Sequence, residues 1–437
     1  MINIIYRRLI IEVCVLIGIL LAFADISEAT GFTWSNFKFS YSQRTRIETW
    51  NNTISFSTAA GAGQSYLRHR TGIMATWLPV KNFEAGLKIA NEFRYYFAPE
   101  NRTFNIDEFF IDQLYARFDS LAHLPLRLII GRQNIDFGEG FIVMDGGPLD
   151  GSRSAYFNAA RMDWLINQAH VLTFFYANQP RKDDMLPVIN DKKKALNERP
   201  EKAAAIYWTG KIRKTDVDGY WVFRNTGKTA NSPSAYKITC LGTRLKYPIT
   251  DKFAIIGEGA TQFREEEDAN GVAFGGYVYG EYLTGWPRLT PRSITLGGIY
   301  LSGDNLNTTD YEGWDPMFGR WPKWSESYIY SLISESGVAP WTNLISIYGK
   351  TAVIITDELG FNFDYHRLMA PRKPDPLAIF PGGKGNVRGD LFIGRLSYKI
   401  KVNVSGHFHW ESFLPGDYYF RGADHYGWAR MELMLRF

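Results

Sequence analysis

The chain lacks the features of most functional classes. Of its 437 residues only two are cysteines. Cys14 falls inside an apolar leader, which leaves Cys240 alone in the body of the chain. A single thiol forms no internal disulfide and no multi-thiolate metal site. Past the leader, no stretch reaches the roughly 18 uninterrupted apolar residues that cross a bilayer as a helix. There is no low-complexity run, no linker, and no phosphate-cradling or dinucleotide glycine motif in a strand–helix context. Basic residues alternate along the chain and form no patch, so nucleic-acid binding is unsupported. His407 and His409 lie two apart beside Glu411, but no third ligand joins them, and neither His407 nor His366 has an assignable nucleophilic serine. No enzyme activity and no cofactor is expected.

What is present is alternation. The chain is 45% hydrophobic, 22% charged and 16% aromatic, with a formal net charge of +4. In its last residues, YGWARMELMLRF, Met431, Leu433, Leu435 and Phe437 share one face, and Arg430, Glu432 and Arg436 share the other. A strand apolar on one side and charged on the other separates lipid from water. The same pattern covers Phe37–Glu48, where Phe37, Phe39 and Tyr41 alternate with Lys38, Ser40 and Ser42. It recurs in Leu67–Trp77 and Gly86–Phe97.

Strand starts fall near residues 36, 65, 83, 108, 125, 158, 169, 201, 219, 236, 252, 272, 292, 341, 357, 388, 403 and 426. This predicts an all-β fold, a transmembrane antiparallel barrel of about 18 strands. Connections after even-numbered strands are short, as at Pro79–Asn82, Ile166–Ala169, Pro248–Asp251 and Lys401–Val402. Those after odd-numbered strands include Asp136–Phe157, Asn178–Pro200, Gly303–Pro340 and Ala370–Val387. Outer-membrane barrels have short periplasmic turns and long extracellular loops. Both termini are therefore expected in the periplasm and the barrel in the bacterial outer membrane. Trp77, Phe83, Phe97, Phe253, Tyr282, Tyr365, Tyr398 and Trp410 lie on the apolar face near expected strand ends, where aromatic girdles sit.

The organisation expected is a signal peptide over residues 1–29, with Arg7 and Arg8 before an apolar run and small residues at Ser27 and Ala29, then one barrel domain over residues 30–437. The terminal Phe437 resembles the C-terminal aromatic that outer-membrane barrels present to their assembly machinery, which makes that machinery and the surrounding lipid the expected partners.

The stretch LIIGRQNIDFGEGFIVMDGGPLDGSRSAYFNAARM, Leu128–Met162, resembles the signature of the alginate-export family of outer-membrane proteins. The resemblance extends to Arg44-x-Arg46-x-Glu48, to Tyr300–Asp304 with Trp314–Phe318, and to His409–Tyr419. It implies an 18-stranded barrel with a charged lumen, and for some members export of a polyanionic polysaccharide, with periplasmic export partners.

Strand parity assigns the lumen. Arg44, Arg46, Arg68, Arg70, Arg94, Arg117, Arg161 and Arg395 point inward, with Glu48 and Glu92 among them. A basic wall concentrates anions. The planar fork of arginine binds a carboxylate through both oxygens, which suits an anionic saccharide. The interleaved acids either weaken each site enough for release or pair with the arginines to hold the lumen shape. Arg132 shares the parity of Leu128 and Ile130 and would face lipid, unless a bulge at Gly131 turns it inward. The loops Asp136–Phe157 and Gly303–Pro340 either fold inward as a constriction, lined by Arg153, Asp304, Asp315 and Arg320, or lie on the surface. The expected function is passage of an anionic, alginate-like uronate polymer or oligosaccharide. The alternatives are an anion-selective porin, general or solute-specific, and a non-transporting barrel.

Overall fold

The computed structural model describes residues 34–52, 56–61, 63–100, 108–144, 156–189, 199–230, 232–267, 269–319, 324–325, 342–377 and 382–437. The expected leader, Arg153 and Arg320 lie outside the described residues.

Eighteen long strands follow one another: β1 Phe37–Asn51, β2 Gln64–Trp77, β3 Phe83–Ala98, β4 Phe109–Phe118, β5 Leu126–Gln133 and β6 Phe157–Asn167, then β7 His170–Gln179, β8 Glu201–Ile212, β9 Thr215–Thr226, β10 Tyr236–Pro248, β11 Phe253–Glu266 and β12 Asn270–Leu283, and finally β13 Pro291–Leu301, β14 Leu344–Ile354, β15 Leu359–Met369, β16 Val387–Lys401, β17 Val404–Pro415 and β18 Tyr426–Arg436. Each pairs antiparallel with its neighbours, and β18 returns to β1 in a ladder from Ser42↔Arg436 to Asn51↔Gly427. The sheet is therefore a closed barrel without an edge, so backbone hydrogen-bonding groups are satisfied between strands, as hydrocarbon surroundings require. Among the described residues, β4 changes partner partway along its length. β4 pairs with β5 only over Leu114–Phe118, and higher up Phe109 and Phe110 pair instead with the two-residue strand Val188–Ile189.

The expected starts agree with the observed ones to within a few residues, because the period of two fixes which face each residue takes. On β18, Met431 and Leu433 are exposed on the outside while Arg430 is 1% exposed on the inside. Exposed Ile73, Leu241, Val278, Leu296 and Ile347 continue the apolar outer surface, which spans hydrocarbon. Phe253 pairs with Tyr282 near the turn end, as a girdle predicts. Trp410 instead lies mid-strand, over Gly394, where an added Cβ would come within 2.3 Å of the indole. The short turns gather at one end of the barrel. One is the two-residue link Arg213–Lys214, whose Arg213 takes φ +54°. The longer connections gather at the other end.

Candidate lumen site

The interior has two chemically distinct walls. The first runs over β17, β18 and β1–β4. On β1 and β2 the inward positions are arginines set against carboxylates on the neighbouring strands. Arg46 Nε reaches Glu432 at 2.5 Å, and Arg68 Nε reaches Glu92 at 2.7 Å. Arg70 spans Glu92 and Asp112, each at 3.0 Å, and Lys88 meets Asp112 at 2.6 Å. Glu48 receives Tyr66 Oη at 2.9 Å, and Arg68 stands 3.7 Å from it. Arg44 is 4.0 Å from Glu92, and the Arg94 guanidinium lies 5.0 Å from the Tyr66 ring centre. Farther round, Arg430 Nε donates to His407 at 2.9 Å, Arg395 stands 3.3 Å from the same ring, and His409 meets Glu411 at 3.0 Å. Arg44, Arg46, Arg68, Arg70, Glu48 and Glu92 are all buried. Such groups are stable away from bulk water only when paired and hydrogen-bonded, and the interleaving of signs provides the pairs.

The remaining expected site residues are spread out. Arg161 lies 2.8 Å from Asp163, with its guanidinium near the Phe137 ring. Arg117 sits at the turn end of β4, held by Glu84 and Asp119 at 3.0 Å each, away from the Arg46–Arg70 group. Asp304 organises its own loop, accepting the Glu312 backbone N–H at 2.9 Å. Burial pushes its carboxyl above the usual range, and that N–H only partly offsets the effect. Arg132 is 2% exposed and pairs with Asp183 at 2.6 Å, stacked 3.7 Å from the Tyr156 ring centre. No register shift interrupts β5 here. Arg132 Nε donates at 3.0 Å to Oδ1 of Asn158, the residue opposite it in the ladder with β6, and Gly131 before it takes a φ of +123°, where a Cβ would stand 2.2 Å from the Leu114 carbonyl oxygen.

The second wall runs over β8–β13 and is covered by the described parts of the loops after β5 and β13, which fold inward. Phe137, from the loop after β5, stacks on Tyr207 at 4.1 Å. Glu139 accepts from Arg244 at 3.1 Å and Tyr279 at 2.8 Å. Phe141 packs on Trp314 at 5.2 Å, and Trp314 lies against Gly275, the small residue that makes room for it. The loop after β13 brings Asp315 to Arg224 at 2.5 Å and pairs its Phe318 with Ile142 of the other loop. The same loop carries Ser325 to a hydrogen bond with Glu411 of β17, while Trp324 packs on Tyr277 of β12. It therefore spans from the second wall to the first. Beneath the loops, Tyr220 and Tyr277 both donate to Glu258, at 3.0 and 2.8 Å.

Strand parity did not single out Arg224, Asp218, Tyr220 and Tyr277 as a group. Their inner faces mix apolar and polar residues, as in Tyr220-x-Val222-x-Arg224, because they meet a folded loop and not water.

No family model matches the chain, and no curated protein matches it. Solved structures match over nearly the whole chain. OccAB1 of Acinetobacter baumannii is 10% identical with a TM-score of 0.60, over 92% of this chain and 96% of that one. OccAB3 of the same organism is 10% identical with a TM-score of 0.59, over 92% and 100%. OpdQ of Pseudomonas aeruginosa is 12% identical with a TM-score of 0.58, over 92% and 98%. These are Occ/OprD outer-membrane porins with an 18-strand barrel. This chain has the fold of an outer-membrane barrel. The outer membrane is where such a barrel, apolar outside and charged inside, resides. At these identities the likeness is one of fold. It carries the expected alginate-export resemblance as far as an outer-membrane β-barrel, and the neighbours are not alginate-export proteins.

Proposed function

We propose that the chain is a solute-specific, anion-selective porin for small carboxylate-bearing solutes. The observation that carries this reading is the pairing of an arginine-rich wall with loops that cross the lumen. Inward on β1 to β3, the arginines Arg44, Arg46, Arg68, Arg70 and Arg94 outnumber the carboxylates, and Ser325 of the inward loop reaches Glu411 on the same wall. A narrow basic passage concentrates anions and weakens cation entry. Porins do not catalyse reactions, and no catalytic role is assigned. The longer connections face outward from the cell and the short turns face the periplasm.

Export of an anionic polysaccharide, such as an alginate-like uronate polymer, would use the same basic wall. The inward loops disfavour it, because a polymer needs a continuous bore. Planar-bilayer recordings and proteoliposome swelling test the choice. Anion preference, with uptake of small mono- and dicarboxylates but not of long oligouronates, is expected. Equal passage of long oligouronates would replace the proposal with polysaccharide export, and cation preference would overturn both. Charge reversal of Arg46 and Arg68 together is expected to lower the anion-to-cation permeability ratio several-fold; an unaltered ratio would remove these residues from the ion path.

A further inference from the structure

The lipid-facing side of β1–β3 carries an anomaly. Outward residues on these strands line up in rows across the sheet. From the turn end upward they are Phe37–Trp77, Phe39–Ala75–Leu87 and Tyr41–Ile73–Ile89, then Gln43–Thr71–Asn91 and Thr45–His69–Phe93, then Ile47–Leu67–Tyr95. One fully polar row, and a second that is polar at Thr45 and His69 and closed by Phe93, thus lie between apolar rows. Six residues of strand, at a tilt near 40°, lift the Gln43 row about 15 Å above the Phe37–Trp77 row, the middle of a belt about 25 Å tall. The outward amides Asn158, Asn178 and Asn225 sit instead at the loop ends of their strands.

The cluster is partly satisfied within the chain. His69 touches Thr45 Oγ1 at 3.0 Å through one ring nitrogen and Thr71 Oγ1 at 3.2 Å through the other. Gln43 Oε1 accepts from Tyr41 Oη at 2.5 Å, and Asn91 donates to the Glu108 carbonyl at 2.8 Å. The Gln43 amide nitrogen has no partner among the described residues. Acyl chains offer no hydrogen bond, and headgroups do not reach this depth. What meets the cluster must bring donors and acceptors of its own at mid-bilayer.

We propose that the outer face of β1–β3 is an interface with a second copy of this chain, related by a two-fold axis along the membrane normal. All copies insert with one orientation, so residues of equal depth meet across such an axis. Side-chain amides and hydroxyls each hold a donor and an acceptor, so these rows complement themselves at matched depth. The apolar rows above and below then pack on their equivalents. Any other partner would need its own polar row at this depth.

The test uses the full chain in intact outer membranes. Thr71→Cys, treated with a short bis-maleimide, is expected to give a product of twice the chain mass. Val278→Cys, outward on the opposite wall at β12, is expected to give none. Adding Gln43→Leu to Thr71→Cys is expected to lower the yield at least tenfold while the heat-modifiable folded-barrel band persists. A monomer only, a product of another mass, or equal yield from Val278→Cys would overturn the proposal. Light scattering of the unmodified protein in lipid nanodiscs gives a second readout, where a mass of one chain under all conditions would also overturn it.

Discussion

On the wall formed by β17, β18 and β1–β4, inward positions carry arginines, histidines and carboxylates that pair across strands. On the wall formed by β8–β13 they carry tyrosines, glycines and small apolar residues beneath two folded loops. Both walls are buried, but for different reasons. The first pairs its acids within itself and shares them among more arginines, with Glu92 between Arg68 and Arg70. The second gives its polar atoms to the loops, as Arg224 does to Asp315 and Tyr279 to Glu139. The difference teaches that one cylinder can hold a static charged surface on one side and a seat for its own constriction on the other. In the proposed porin, the passage lies between them.

Excising the inward part of the loop after β13 should have the largest effect. Single-channel conductance should rise several-fold while the anion preference of the charged wall persists. If conductance stays constant, that loop does not narrow the passage. Next, the walls should differ in their tolerance of a lost acceptor. Glu92→Gln removes a buried carboxylate from between two buried arginines and should destabilise the barrel by about 3–5 kcal/mol. Tyr277→Phe removes one hydroxyl donor to Glu258 and should cost about 1 kcal/mol. Urea midpoints in lipid vesicles read both, and equal losses would erase the distinction.

Gly131→Ala sharpens the comparison at the border of the charged wall. The added methyl meets the Leu114 carbonyl, and the backbone there is left-handed. A loss of roughly 1–3 kcal/mol is expected. A high-resolution structure of the variant should show Arg132 drawn away from Asp183. The smallest effect concerns Asp304, at the rim. Its carboxyl is raised, so the folded chain binds that proton more tightly than the unfolded chain does. The resulting stability is present at low pH and lost as pH rises from the ordinary carboxylate range through the raised value. Asp304→Asn keeps the acceptor for the Glu312 N–H and should flatten that fall in unfolding midpoints measured from acid to neutral pH.

Much of the charged wall was legible from parity. Arg44, Arg46, Glu48, Arg68, Arg70 and Glu92 alternate with apolar residues, and alternation fixes the face. The pairing of Arg132 was not legible, because its partners Asp183 and Tyr156 lie outside the strands, where alternation gives no position. The tyrosine wall was not legible either. Tyr220 and Tyr277 look like ordinary strand aromatics until a loop from elsewhere lies over them. The outward Gln43–Thr71–Asn91 row is visible in each strand, but only the register makes it a row.

The sequence by itself determined the strands and their faces, since a period of two assigns each side chain to one side of the sheet, and the segregation of long and short connections pointed to the closed antiparallel order. The tertiary structure alone decided how the loops after β5 and β13 use the interior and which charges neutralise which. Those outcomes depend on contacts between residues far apart in the chain, such as Arg46 with Glu432 and Phe318 with Ile142, and no local pattern encodes them.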